Sequence, residues 1–143
     1  MGDLKTSAFS LNQFHIDEFF IKRDPVKEGK PEFDFNPKGL VNNENGTFLL
    51  TMDFSVKDSN DAYHINCKCV GYFKFKVEEN DELTLSNYFY TNAPAIVFPY
   101  IRSYIASVTA LSGLPAVHLP LVNFPKSIGE LLKENTTVQE KIV

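Results

Sequence analysis

Tryptophan is absent from the 143 residues, and cysteine and methionine occur twice each. Two cysteines cannot build the disulfide framework that staples small secreted domains. Cys67 and Cys69 lie two apart, so on a strand they project side by side from one face, a geometry that does not turn readily into a bridge. His15, His64 and His118 are not at metal-ligand spacing, so the cysteines read as small buried apolar residues and no metal is expected. No apolar run approaches the roughly 18 residues of a transmembrane helix. No basic segment followed by an apolar run opens the chain, so no secretory leader is expected and the cytoplasm is the expected location. Positive charge is in deficit: 14 Lys and Arg face 18 Asp and Glu, a net charge of −4. Phosphate contacts need clustered Lys and Arg, which argues against a nucleic-acid partner. Phosphate-cradling loops, nucleophile elbows and metal-binding helix motifs are missing as well. Neither catalysis nor a cofactor is expected.

What the chain does have is aromatic and aliphatic surface. It is 43% hydrophobic, with 13 Phe and 6 Tyr. Chains of this length bury about two-thirds of their unfolded surface, enough for one core without staples. So many Phe in one small domain point beyond that core, to a subunit interface or a ligand groove.

From Ala8 to Arg23 the apolar residues alternate but change phase, as Phe9 and Leu11, then Phe14 and Ile16, then Phe19 and Ile21. Each change skips a residue, as a β-bulge does, and predicts one long bent strand. Asp24 to Pro31 is a break. Phe33 and Phe35 share a face of a second strand, which Pro37 is expected to hold short or at an edge. Asn45-Gly46 marks a hairpin. Phe48, Leu50, Met52, Phe54 and Val56 alternate with polar residues, as do Tyr63, Ile65, Cys67, Cys69 and Phe73, so each of two further strands has a packed face and a wet one. The remainder reads helical: a short helix over Glu82 to Tyr90, a main helix within Asn92 to Ser112 stopped by Gly113, and a short one over Lys126 to Glu134. The fold class is α+β, a four-stranded antiparallel sheet followed by one long and one short helix. A single domain is expected over residues 1–134, with a mobile tail over 135–143.

Two features of the helical part stand out. Ser103, Ala106, Ser107 and Ala110 form a stripe of small residues, suited to close approach of another helix or left as an exposed face. Leu114 to Phe124 is too apolar for a solvated loop and too rich in Pro for a central strand, so it must lie against something. Arg102, alone in an apolar helix, is expected to satisfy a carbonyl or carboxylate.

Asn92-Ala93-Pro94, then Ile96-Val97-Phe98-Pro99-Tyr100-Ile101-Arg102, then Gly113-Leu114-Pro115 and Leu119-Pro120-Leu121-Val122-Asn123-Phe124, resemble the SecB export-chaperone family. Phe-Pro-Tyr-x-Arg and the closing Val-Asn-Phe are the most specific marks, and Val70-Gly71-Tyr72-Phe73 is a looser one. The resemblance implies an ATP-independent holdase that keeps preproteins unfolded and delivers them to the SecA motor. It also implies a homotetramer built as a dimer of dimers, with the small-residue stripe between long helices. The matching client groove would be lined by Phe33 and Phe35, by Leu114, Leu119, Leu121 and Val122, and by Ile128 and Leu131. The same residues could instead seal the core. In the family, acids on the exposed sheet face meet a basic tail of the motor. Here Glu18 is the one matched acid, while Lys22, His64, Asn66 and Lys68 occupy the neighbouring positions, so a weak motor contact is expected. The other class of function is a SecB-fold interaction module, or an antitoxin-dedicated chaperone, that binds one partner without the motor.

Overall fold

The computed structural model describes residues 9–76, 87–124 and 126–139. Its elements are β1 (Phe9–Arg23), β2 (Pro31–Asn42), β3 (Thr47–Asp58), β4 (Tyr63–Phe75), α1 (Asn87–Ala110), α2 (Lys126–Glu134) and β5 (Thr136–Val138). The sheet order is β1-β4-β3-β2-β5. The first four strands are antiparallel to their neighbours, and β5 runs parallel to β2.

The phase changes in β1 are bulges. Its register against β4 slips between Leu11 and Gln13 and again between Ile16 and Glu18. Each extra residue returns the next apolar pair to the inner face, so Phe9, Leu11, Phe14, Ile16, Phe19 and Ile21 all pack against the core. The β2–β3 hairpin turns at Gly46, whose φ of 64° is open to glycine without strain.

Three expectations need correction. The sheet has five strands and is mixed, because the chain beyond α2 returns to the β2 edge. Thr136–Val138, inside the segment read as a mobile tail, pairs with Gly39, Leu40 and Val41. Gly39 makes room for it, since a Cβ there would lie 2.5 Å from Thr136 Oγ1. Second, Pro37 does not shorten β2, which runs on past it, and of the two alternatives the edge position is the one that applies. Pro37 faces Met52 in the register, and its carbonyl accepts from Asn135 Nδ2 at 3.2 Å on the edge away from β3. A strand residue turns its N and its carbonyl to the same edge, so the missing N–H falls where β3 needs no donor. Third, α1 contains both Pro94 and Pro99 and extends over 24 residues. Proline in a helix interior costs about 3 kcal/mol. Ala93, Val97, Phe98, Ile101 and Ile105, all buried on the sheet-facing side, supply the compensating contacts. The separate helix expected over Glu82 to Tyr90 lies partly outside the described residues, and Asn87–Tyr90 forms the first turn of α1. The helix ends at Ala110, just before Gly113 at φ 86°.

One layer of helix covers one face of the sheet. Phe89 meets Phe9 and Phe48 at ring distances of 4.8 Å each, and Tyr104 meets Phe19 at 5.1 Å. At Gly71 a Cβ would stand 3.0 Å from Val97, so the glycine lets α1 lie close over β4. Cys67 and Cys69 are buried free thiols within this core.

Candidate functional site

Phe33 and Phe35, two apart on β2, stack at 5.9 Å on the inner face of the sheet. Phe35 also meets Phe124 at 4.8 Å, Phe54 at 5.1 Å and Phe98 at 5.9 Å. Phe54 and Phe98 are fully buried, whereas Phe33, Phe35 and Phe124 are half-buried. The cluster therefore has a sealed floor and an open rim at the β2 edge. Pairs of this geometry contribute about 0.5–1.5 kcal/mol each beyond their buried area, which keeps the rim rings in place while they remain accessible.

The connection from α1 to α2 reaches this rim under tight control. Arg23 Nη2 donates to Pro115 O at 2.8 Å. Thr109 Oγ1 donates to Ile105 O and accepts from Val117 N–H, each at 2.7 Å. Arg102 Nε donates to Leu119 O, the carbonyl role expected of it. These clamps turn Val117 and Leu119 inward, each 1% exposed, and leave Leu121 at 79% exposed.

The sequence-derived candidates thus divide. Phe33, Phe35 and Val122 are half-buried, Leu114 and Leu121 exposed. Leu119 closes the core and offers no surface, with its carbonyl held by Arg102. Ile128 and Leu131 are half-buried on α2, which packs on α1 and β2. Phe124 and Phe98 join the cluster although neither was singled out as lining. Their places in the Val-Asn-Phe and Phe-Pro-Tyr elements were the available signal.

On the outer side of α1, Ser103, Ser107 and Ala110 are exposed and Ala106 half-buried. Tyr100, 52% exposed, stacks on Phe14 of β1 at 5.3 Å. On the wet face of the sheet, Glu18 is paired with Lys68 at 3.3 Å. Asp53 stands opposite Lys68 on its other side, and Lys22 opposite His64. The one matched acid is therefore already engaged by a lysine.

Burial pushes the Cys67 and Cys69 thiols up to about 12, with the Asp53 carboxylate adding to both. Burial likewise raises the Tyr63 phenol to about 12. Among the described residues no group of three or more His, Cys, Asp or Glu is placed to hold a metal ion. None of the described helices is long and apolar enough to cross a membrane.

The family described as preprotein translocase subunit SecB matches residues 8–130. An uncharacterized protein of Methanocaldococcus jannaschii is 28% identical over 136 residues, covering 88% of this chain and 86% of its own length. A protein-export protein SecB of Anaplasma phagocytophilum is 36% identical over 64 residues, 43% of this chain and 40% of that protein. Another from Ehrlichia ruminantium is 34% identical over 79 residues, 51% of this chain and 45% of that protein. Among solved structures, a SecB-like chaperone of Mycobacterium tuberculosis, in complex with a peptide from an antitoxin, superposes with a TM-score of 0.66 at 14% identity. That match covers 80% of this chain and 88% of the other.

Proposed function

The chain belongs to the SecB family, and from that premise we propose that it is an ATP-independent holdase that binds unfolded polypeptide at the rim of the Phe33, Phe35 and Phe124 cluster. The observation that carries this reading is the half-burial of those rings over a sealed aromatic floor. A fully buried cluster would serve only the core, and an isolated exposed ring would hold nothing. Val122 and the exposed Leu121 extend the apolar surface along the connection, with Leu114 at its start and Ile128 and Leu131 on α2. Apolar contact of this kind asks little of client sequence, which suits a holdase.

Stoichiometric amounts of the protein should stop a chemically denatured client from aggregating on dilution, as followed by light scattering. The Phe35→Ala chain should lose most of that effect while keeping its far-ultraviolet circular dichroism. Undiminished aggregation with the intact chain would refute the holdase reading. Apolar burial is not screened by salt, so protection should persist at 0.5 M salt.

A second reading, a chaperone dedicated to one partner such as an antitoxin and independent of the motor, is favoured by the Glu18–Lys68 pair. A basic motor tail has to break that pair and meets Lys22 and Lys68 as like charges. Like charge at an interface costs several kcal/mol, whereas an exposed ion pair returns about 1 or less. Calorimetric titration of a SecA-type tail peptide at low salt should give no micromolar binding. A micromolar constant abolished by Glu18→Lys would restore the export partnership.

A further inference from the structure

β2 has two edges. The one toward β3 is paired from Pro31 to Asn42; on the other, among the described residues, the strand pairing is that of β5 with Gly39–Val41. Successive residues of a strand turn their N–H and carbonyl groups to opposite edges, so residues two apart share an edge. Gly39 N–H donates outward to Asn135 O at 3.3 Å, and Val41 O accepts from Gln139 N–H at 2.8 Å. The same parity sends the main-chain groups of Pro31, Phe33, Phe35 and Pro37 outward. Neither proline carries an N–H, and Pro37 O already accepts from Asn135. The outward donors that remain are the amides of Phe33 and Phe35, and among the described residues no strand pairs with them. They sit directly on the aromatic rim.

We infer that β5 is an internal competitor for this edge: an extended client segment pairs with β2 at Phe33 and Phe35 and, continuing past Pro37, takes the place of β5. The inference rests on the holdase reading and adds the mode of binding and its control. β5 itself identifies the kind of occupant, since it is an extended backbone already seated on the same edge in the same parity. It is built to leave. It has three residues, it pairs on one side only, and Thr137 and Val138 are exposed, Val138 at 58%. Main-chain pairing is blind to side-chain identity, as binding of varied clients requires. Pro31 and Pro37 limit the free dock to two amides, which guards the edge against extensive pairing with other sheets.

The test uses the full chain and a permanently unfolded probe, reduced and carboxymethylated α-lactalbumin. Thr137→Pro removes the β5 amide that lies between the Gly39 and Val41 bonds, at an exposed position. This variant should bind the probe at least threefold more tightly than the parent. In the parent chain, adding the probe should speed hydrogen exchange at the Gln139 amide and slow it at the Phe33 and Phe35 amides. Equal affinity of the two chains, or a Gln139 amide as protected with probe as without it, overturns the competition while leaving the holdase reading intact. Failure of both chains to bind the probe overturns both.

Discussion

Asp58 is fully buried, yet its carboxylate is well supplied with donors. Gly29 N–H reaches Oδ1 at 2.8 Å and Oδ2 at 3.1 Å, and the Asn60 and Ala62 amides reach Oδ2 at 3.0 and 3.1 Å. Burial alone would raise its pKa, but the Gly29, Ala62 and Asn60 amides outweigh that and hold it below the ordinary 3.8. A depressed carboxylate stabilises the fold above its unfolded pKa, and that contribution disappears as pH falls through the folded value. Asp58→Asn should therefore melt at least about 5 °C lower at pH 7. The difference between the two chains should shrink below pH 3.8, as followed by thermal scans across pH. The role of Asp58 is not legible in the sequence, because its donor Gly29 comes from a loop 29 positions earlier. Cys67 and Cys69 were legible, since spacing by two on an alternating strand determines both their face and their lack of a bridge. Composition marks Leu114 to Phe124 as an apolar connection without saying which of its residues turn inward, as Leu119 does.

At the scale of elements, the connection between the helices matters most, since it brings Val122 and Phe124 to the rim. Its route depends on two side chains of α1, Arg102 and Thr109, which hold the backbone at Leu119 and Val117. Removing either leaves a buried backbone group without its partner, a loss of about 1–3 kcal/mol. Arg102→Ala and Thr109→Val should each lower stability to chemical denaturation by that amount. The Arg102→Ala chain should also lose client protection, because the segment leading to Phe124 is no longer held. The bulged strand β1 was readable from its phase changes, since burial of one face forces the period to restart after each bulge. β5 was not readable. Three residues carry no periodicity, and the partner they pair with, around Gly39, lies nearly a hundred positions earlier.

At the scale of the whole molecule, among the described residues no strand pairs with β1 on the side away from β4, and one face of α1 is exposed. The exposed stripe of Ser103, Ser107 and Ala110 around Ala106 suits a close helix contact, and a homotetramer of two dimers remains the assembly proposed for this protein. Ala106→Leu should overpack such a contact at a cost of about 1–3 kcal/mol and yield dimers by light scattering. A parent chain that is monomeric at micromolar concentration would refute the assembly.

The strand order also has a consequence for how the chain is made. β2, β3 and β4 are joined by short turns and can pair soon after they leave the ribosome. β1 is synthesised first but pairs with β4, from Arg23 with Tyr63 to Phe9 with Phe75, at sequence separations of 40 to 66. Contacts of such long sequence separation form late. During synthesis the apolar face of β1 therefore waits, uncovered, for a strand that has not yet emerged. On the holdase reading proposed above, a nascent chain in that state is an extended aromatic client for finished copies of the same protein.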